Sequence, residues 1–409
     1  MNPSFGTSHI RDMTSIFVDK SAELRDVLMS RLTSKEGEGE VKLDILSYLS
    51  RATLDIIGLA GFDYSFNTLA NEEDGLAKSF KKLFQPGGGF PIAQLLKAQF
   101  PILRSPLRFD QQSKCADDVH RRMTEIGKRL IETKKEEVKQ QKSEGSLLQG
   151  TKAKDLLSLL IFSNLDDMAD ASKALTDDEV LHQIPTFLLA GHETTSTATA
   201  WTLLSLADNP EVQKRLRDEM LNINTESPTM EELNSLPYLE AVVRESLRYH
   251  AVVSGVIRVA TEDDIIPLDK PFVDTTGKVQ NSIMISQGDT IYLPIRYLNT
   301  APSIWGDDGK SFNPERWNAV SKETSAIPGV WGSQLTFLGG PRACIGYRFA
   351  LVEMKALLFF LVGNFEFKLA VPVEDIGRHP GIVTRPAVLS ELEKGIQLPL
   401  VVRPFVRDA

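Results

Sequence analysis

The amino-acid sequence predicts a mainly α-helical fold with small β-sheets, which belongs to the α+β class. As far as Tyr249, most of the chain has helical periodicity, broken by short polar or glycine- and proline-rich runs. Beyond it the period changes, and residues 252–260 and 282–298 alternate as strands do, with a turn at 287–289. A last strand is predicted at 396–402, in an otherwise irregular C-terminal region. Apolar residues make up 42% of the chain, enough for a large core, which argues against global disorder.

Three helices are predicted in the first part of the chain. Amphipathic patterns cover residues 9–32 and 41–59, and a long charged helix covers 111–141. A sharp break at 85–91, rich in glycine and proline, precedes the apolar segment 92–103. Two interpretations of 92–103 stay open: a short core helix, or a segment that dips into a membrane or admits substrate.

Helix-capping signals predict three further helices. A Thr-x-x-Glu capping box at 176–179 opens a long helix that ends near residue 207. Asn-Pro-Glu at 209–211 supplies a cap, a first-turn proline and an acid near the positive end of the helix dipole. A second capping box, at 229–232, opens a helix that is predicted to end near Tyr249.

Charge and cysteine content disfavour several classes of protein. The net charge is −9, which disfavours a nucleic-acid partner. The two cysteines, Cys115 and Cys344, are far apart and indicate neither a disulfide framework nor a zinc site, so a reducing compartment is expected. No window has the roughly 18 apolar residues of a membrane-spanning helix, and the first residues lack a signal peptide. The sequence therefore predicts a soluble chain with no transmembrane segment.

The most informative segment is the loop 337–346, Phe-Leu-Gly-Gly-Pro-Arg-Ala-Cys-Ile-Gly. Cys344 stands directly before a helical stretch, where the helix dipole and free N–H groups stabilise a thiolate. Gly340 and Gly346 let the backbone come close to something flat and bulky. Arg342 precedes the cysteine by two positions. The alternative is a buried structural cysteine beside a turn.

The long helix contains an unusual segment, Ala-Gly-His-Glu-Thr-Thr-Ser-Thr at 190–197. Glycine and several β-branched residues are a poor choice for a helix interior. Threonine hydroxyls can bond back to carbonyls and open the helix locally, so that a small ligand or a water lodges there. A tolerated weak point in a buried helix is the alternative. His192 has no recognisable partner, so we expect an exposed or core histidine and no metal ligand.

Charged pairs occur between the long helix and the cysteine loop. Glu245 and Arg248 form an E-x-x-R on one helix face, by default a surface ion pair worth a few tenths of a kcal/mol. Residues 312–317, Phe-Asn-Pro-Glu-Arg-Trp, contain Arg316 and lie between this pair and the cysteine. Arg258 stands in the first predicted strand, where an exposed charge is the simplest interpretation.

Together these motifs resemble those of the cytochrome P-450 family. The loop fits F-x-x-G-x-R-x-C-x-G, the helix segment fits A-G-x-[DE]-T-T, and E-x-x-R and the Asn-Pro-Glu-Arg-Trp element occur in the family's order and spacing. The resemblance covers essentially the whole chain and is closest to microsomal-type fungal members. It implies one cytochrome P-450 domain over residues 1–409, with a long central helix over the haem.

The resemblance also implies the residues that bind the cofactor. Cys344 would ligate the iron of haem b as a thiolate, and the rest of the binding loop would include Phe337, Gly340, Arg342 and Gly346. Arg342 would pair with a haem propionate, because the planar fork of arginine suits a carboxylate. The family usually has a basic residue for the same task at the position of Arg258.

Further roles follow from the same resemblance. Thr194 would be the hydrogen-bonding alcohol of oxygen activation, and Glu193 the acid that relays protons. Glu245, Arg248 and Arg316 would form a buried structural network with no part in the chemistry. Removing one member of such a network leaves a buried charge unpaired, at a cost of about 3–5 kcal/mol.

The implied activity is that of a haem-thiolate monooxygenase. One oxygen atom of O2 would enter an apolar organic substrate, and the other would leave as water. The electrons would come from NADPH through a separate reductase, since the chain has no flavin or nicotinamide fingerprint. The family expectation for location is the cytoplasmic face of the endoplasmic reticulum, which allows association with a membrane surface. The alternatives are a haem-thiolate isomerase or dehydratase acting on a peroxide, and an inactive haem-binding fragment.

Three departures from the family pattern are visible. Ala251 stands where the family commonly has proline, and Trp317 replaces a frequent phenylalanine, which we expect to be a minor change. Met1 aligns inside the family's pattern, so we expect the chain to lack the family's N-terminal anchor and first helices.

Overall fold

The computed structural model describes residues 5–33, 39–71, 111–143, 155, 157–158, 161, 176–223 and 225–406. The predicted α+β class is confirmed, because long helices dominate and the described strands form small separate sheets. The predictions made for 85–91 and 92–103 lie outside the described residues.

The predicted capping boxes at 176–179 and 229–232 are both formed. In the first of them the Thr176 hydroxyl accepts the Glu179 N–H at 3.2 Å, and the Glu179 carboxylate accepts the Thr176 N–H at 2.7 Å. The helices are α1 Thr7–Thr33, α2 Ile45–Phe62, α3 Gln111–Ser143, α4 Asp177–Asp208, α5 Pro210–Leu221, α6 Met230–Asn234, α7 Pro237–His250, α8 Ile295–Leu298, α9 Pro302–Trp305, α10 Lys322–Ser325 and α11 Tyr347–Asn364.

All described strand pairs are antiparallel. A three-stranded sheet has the order β1-β9-β6, and three two-stranded sheets pair β2 with β5, β3 with β4 and β7 with β8. The strands are β1 Val41–Asp44, β2 Val256–Val259, β3 Asp264–Val273, β4 Val279–Ile285, β5 Thr290–Leu293, β6 Phe365–Leu369, β7 Ile376–His379, β8 Arg385–Val388 and β9 Pro399–Pro404.

Two helix predictions need correction. Residues 41–44 are a strand because they pair with the distant strand β9, and α2 begins only at Ile45. The helix predicted to run from 230 to 249 is two helices, α6 and α7, since Pro237 starts a new first turn. The free N–H groups of Tyr238 and Leu239 in that turn donate to the Glu219 carboxylate at 2.7 and 2.8 Å.

Strand predictions also need correction. The strand pattern predicted for 282–298 ends at Leu293, because Pro294 is followed by the helical turn α8. The strands β3, β6, β7 and β8 were not predicted. Strands β7 and β8 lie in the C-terminal region that was expected to be irregular, and they pair His379 with Arg385.

Close packing of helices places the long helix α4 at the centre. An added Cβ at Gly191 would lie 2.8 Å from Cγ1 of Ile57 in α2, so this glycine is required by helix–helix contact. On another side α11 is buried along most of its length, and its Phe349 ring packs edge-to-face on Phe17 of α1 at 4.7 Å between centroids. Helices α4 and α11 are also in contact with each other. The cysteine loop ends at the start of α11.

Among the helices within the described ranges, α2 alone has the length and apolar composition needed to cross a membrane. Of its 18 residues, 72% are buried inside the protein.

Candidate active site

The cysteine loop is held in a defined shape by its own backbone. The Cys344 N–H donates to the Phe337 carbonyl at 2.8 Å, and the Ala343 N–H donates to the Gly340 carbonyl at 3.1 Å. Gly340 has φ +68°, in the left-handed region that glycine adopts without strain. The loop therefore turns sharply before Cys344 and presents its sulfur at the N-terminal end of α11.

The glycines of the loop differ in what surrounds their Cα atoms. A Cβ at Gly340 would meet open space, which fits close approach of a bulky group at that side. A Cβ at Gly339 would lie 1.8 Å from the Pro328 carbonyl oxygen, so this glycine packs against protein. Gly346 has no left-handed backbone, and a Cβ there would lie 3.8 Å from the Phe5 ring.

A cavity of about 180 Å³ joins the cysteine loop to the long helix. Cys344 and Arg342 line it from the loop side, and Thr194 and Thr195 line it from α4. Apolar side chains form much of the remaining wall: Leu247, Val252, Val253, Val256, Ile295, Phe337, Leu338 and Met354.

The Cys344 side chain is exposed, because it faces this cavity. The protein around the sulfur withdraws it from bulk water, and this desolvation raises the pKa of the thiol; the Gly346 N–H opposes the shift but does not reverse it. The N–H at the helix N-terminus therefore favours the thiolate, as expected, but burial of the sulfur has the larger effect. A metal ion would deprotonate the coordinating thiol.

The donor set fits a cofactor that brings most of its own ligands. Among the described residues no three His, Cys, Asp or Glu side chains are grouped so that they could hold a metal ion. One sulfur at an apolar cavity, with an arginine beside it, fits a metal held in a large flat macrocycle with one protein ligand. Gly340, where a Cβ would meet only open space, fits the same group.

The long helix runs unbroken past the unusual segment, so the predicted local opening is not seen. The Thr194 hydroxyl bonds back to the Ala190 carbonyl at 2.7 Å. Glu193 is buried, and its Oε2 accepts N–H groups of Arg385 from Nε at 2.9 Å and Nη2 at 2.6 Å. Burial raises the pKa of Glu193, but His192 and Arg385 outweigh it, and the pKa is lowered.

His192 is a core residue. Its side chain is fully buried, its Nδ1 lies 2.7 Å from the Leu188 carbonyl oxygen, and its Nε2 lies 3.3 Å from Oε1 of Glu193. The Thr53 hydroxyl of α2 donates to the His192 carbonyl at 3.1 Å, which fastens this turn of α4.

Glu245, Arg248 and Arg316 lie together in the fold. Glu245 and Arg248 are fully buried and joined by two hydrogen bonds of 2.7 and 2.8 Å, while Nε of Arg316 is 3.4 Å from Oε1 of Glu245. The Trp317 indole N–H also donates to Glu245, at 3.1 Å. Trp317 is therefore more than a minor change, because phenylalanine has no such donor.

Arg258 lies apart from the other predicted site residues. Its guanidinium donates to the carbonyl of its neighbour Ile257 at 2.9 Å, and Arg258 is not among the described residues that line the cavity.

Ala251 stands where the family commonly has proline. It has φ +41°, and its N–H donates to the Leu247 carbonyl at 3.2 Å. Proline has neither that φ nor that N–H, so this loop differs physically from one with proline.

Two residues of the site were missed by sequence reasoning. Arg385 is 192 positions from Glu193, and no motif marks it. Glu353, nine positions after Cys344 on α11, is fully buried beside Thr195. Its place among apolar residues in the helical stretch that follows Cys344 was the only signal.

Comparisons with known proteins agree on one family. The family model described as "Cytochrome P450" matches residues 1–390. "Cytochrome P450 monooxygenase 205" of Postia placenta is 49% identical over 408 residues, 99% of this chain and 74% of the relative. "Cytochrome P450 monooxygenase 128" of the same fungus is 45% identical over 414 residues, 100% of this chain and 75% of the relative. "Cytochrome P450 monooxygenase claW" of Ampulloclitocybe clavipes is 33% identical, over 98% of this chain and 74% of the relative.

Proposed function

Because this chain belongs to the cytochrome P450 family, whose fungal relatives are named monooxygenases, we propose that it uses haem b and electrons from NADPH to oxygenate an apolar substrate. The electrons come through a separate reductase, one atom of O2 enters a small organic molecule, and the other leaves as water. The broader role, a haem-thiolate monooxygenase, follows from the family itself.

One observation carries the proposal: a single apolar cavity has the Cys344 sulfur on one wall and Thr194 on another. When bound there, haem supplies oxygen activation, and a thiolate ligand favours cleavage of the O–O bond. Cys344 holds the iron, and Phe337 and Gly340 shape the loop around it. The apolar walls favour an apolar substrate, because polar groups would lose water there without a partner.

The charged residues of the loop side hold the cofactor's carboxylates. Arg342 lines the cavity and can offer its planar fork to a propionate. The same role for Arg258 requires its guanidinium to leave the Ile257 carbonyl. The buried network of Glu245, Arg248 and Arg316 keeps the segment that leads into the loop in place.

Proton delivery falls to two neighbours on α4. The Thr194 hydroxyl stands at the cavity wall and can accept a proton while it donates one. Glu193 is the adjacent acid, and it is the group that takes up protons from solvent and passes them on.

We propose that residues 1–409 form one domain, located at the cytoplasmic face of the endoplasmic reticulum, in contact with the membrane surface and the reductase.

Isotopically labelled O2 tests the reaction. The haem-loaded protein is incubated with a fungal NADPH-dependent reductase, NADPH and a panel of apolar molecules, and the products are analysed by mass spectrometry. We expect a product with one labelled oxygen atom that requires NADPH. If the protein instead rearranges added organic peroxides without NADPH, it is an isomerase or dehydratase and the proposal fails.

A further inference from the structure

Glu353 is a carboxyl group that the protein encloses completely. It is 0% exposed, stands between the buried residues Val352 and Met354 of α11, and has no well-formed hydrogen bond at either oxygen within the described ranges. A carboxylate that loses water without gaining a partner becomes protonated, because the neutral form costs far less to bury. We therefore expect Glu353 to be a neutral carboxylic acid in the folded protein.

Glu353 lies next to residues that line the candidate active site. Ala350, about one helical turn before it, and Met354, directly after it, both line the cavity. The hydroxyl of Thr195, another lining residue, is close to its carboxyl group. The helix that carries Glu353 begins three residues after Cys344. A charge on Glu353 would therefore act on a metal held by Cys344, because the apolar surroundings screen it little.

No charged group among the described residues acts on Glu353. Burial has the largest effect on its pKa and raises it well above the usual value, and only the Thr195 hydroxyl opposes this shift. Charged side chains of α11 and of the elements packed against it have other partners: Lys20 of α1 binds Glu23, Glu193 of α4 binds Arg385, Arg217 of α5 donates to the Val362 carbonyl, Glu231 of α6 binds Arg11, Arg248 of α7 binds Glu245, Lys355 of α11 binds Glu240, and Glu366 of β6 binds Arg403.

We propose that the proton on Glu353 controls how readily the haem of this protein accepts an electron. Held neutral, Glu353 places no second negative charge near the thiolate of Cys344. Once ionised, it adds that charge, which stabilises the oxidised haem relative to the reduced haem and lowers the reduction potential. The inference rests on the proposed function, which supplies the haem and the electrons.

The electron and the proton balance as follows. NADPH, through the reductase, supplies one electron, which reduces the haem iron and adds one negative charge to the site. If Glu353 is ionised in the oxidised protein, its carboxylate takes up one proton from solvent in the same step; if it already carries its proton, the electron enters alone. Linkage then requires the potential to fall with rising pH between the pKa of Glu353 in the oxidised protein and its higher pKa in the reduced protein.

The reduction potential of the haem-loaded protein, measured by spectroelectrochemistry at a series of pH values without oxygen or substrate, tests the inference. Wild type and Glu353→Gln should have similar potentials at low pH, where both side chains are neutral. As the pH rises, the wild-type potential should fall below that of Glu353→Gln. Haem propionates titrate in both proteins, so the difference between the two is the quantity measured. Glu374→Gln, a change at an exposed glutamate, is the control and should follow wild type.

Infrared spectroscopy supplies a readout that needs no Glu353 variant. Wild type should have a carboxylic-acid carbonyl band at neutral pH, and the band should persist to higher pH in the reduced protein than in the oxidised one. Thr195→Val removes the hydroxyl near the carboxyl group. This variant should therefore move the frequency of the Glu353 band and delay its loss to higher pH, which a merely structural glutamate would not show.

The outcomes separate this inference from the proposed function. If the potentials of wild type and Glu353→Gln depend on pH in the same way, or if the carbonyl band is lost at the same pH in both oxidation states, Glu353 does not control haem reduction. If both measurements behave as expected but no labelled oxygen reaches any product, the proposed function is wrong and the control of haem reduction by Glu353 stands.

Discussion

Glu353 is the buried group that the proposed chemistry leaves unused. It is 0% exposed, and its two oxygens lack a well-formed hydrogen bond among the described residues, although the Thr195 hydroxyl is close. Burial raises the pKa of Glu353 well above its usual value. The folded protein thus holds a proton that the unfolded chain releases above about pH 4.3.

The consequence is a pH-dependent loss of stability. Because the folded pKa is the higher one, this residue lowers the free energy of unfolding as pH rises from the unfolded pKa toward the folded one, by up to about 1.4 kcal/mol per pH unit. Glu353→Gln removes the titration, so its stability relative to wild type should increase steadily over that window.

Denaturant unfolding at a series of pH values measures the effect. Glu374→Gln, a change at an exposed glutamate, is the control and should keep a constant small offset from wild type. A difference between Glu353→Gln and wild type that does not depend on pH would show that Glu353 is ionised in the folded state.

Trp317 provides a second prediction at the residue scale. Its indole N–H donates to Glu245, a fully buried carboxylate, at 3.1 Å. Trp317→Phe removes this donor and should lower the free energy of unfolding by about 1–3 kcal/mol, since a buried charged acceptor loses a partner.

The matched control for Trp317→Phe is Trp331→Phe. The Trp331 ring also packs near Arg244, and its indole N–H makes no hydrogen bond within the part of the chain that the structure describes. Equal losses in the two variants would mean that ring packing, and not the bond to Glu245, explains the tryptophan.

At the scale of elements, the contact between α2 and α4 depends on a glycine. A Cβ added at Gly191 would lie 2.8 and 2.9 Å from Cγ1 and Cδ1 of Ile57, closer than carbon atoms pack. Gly191→Ala should therefore destabilise the protein by about 1–3 kcal/mol, although alanine is the better helix former.

Gly363 in α11 is the matched control. A Cβ there would meet nothing within 4 Å, so Gly363→Ala should be neutral or stabilising by up to about 1 kcal/mol. Thermal unfolding of both variants measures the change in stability that each substitution causes. A Gly191→Ala protein as stable as the Gly363→Ala protein would show that the two helices separate at little cost.

Helices were predictable where local signals existed. The capping boxes at 176–179 and 229–232 depend only on neighbouring residues, and both are formed. The strand Val41–Asp44 was assigned to a helix because its partner, β9, lies more than 350 positions away. Pairing at that distance overrides local periodicity and leaves no local trace.

At the scale of the whole molecule, the candidate site is assembled from distant parts. The motif residues Cys344 and Thr194 could be found from the sequence, because their spacing and neighbours match a family pattern. Arg385 could not, since its contact with Glu193 arises only when the β7–β8 hairpin packs beside α4. The topology of the fold, and not a local motif, brings this residue to the site.

The whole fold also explains the state of the central thiol. Cys344 is placed at the start of α11, and the surrounding protein raises the pKa of its thiol. If the thiol ligates a haem iron as proposed, the metal removes its proton. Haem binding at this site should then stabilise the fold, because a ligand that binds the native state stabilises it.

The absorption spectrum of the reduced, carbon-monoxide-bound protein is the most direct test of the central claim that Cys344 ligates haem iron. We predict a Soret band at the long wavelength typical of thiolate ligation, retained in Cys115→Ala and lost in Cys344→Ala. Absence of bound haem in the wild type, or a band that survives in Cys344→Ala, would contradict the account.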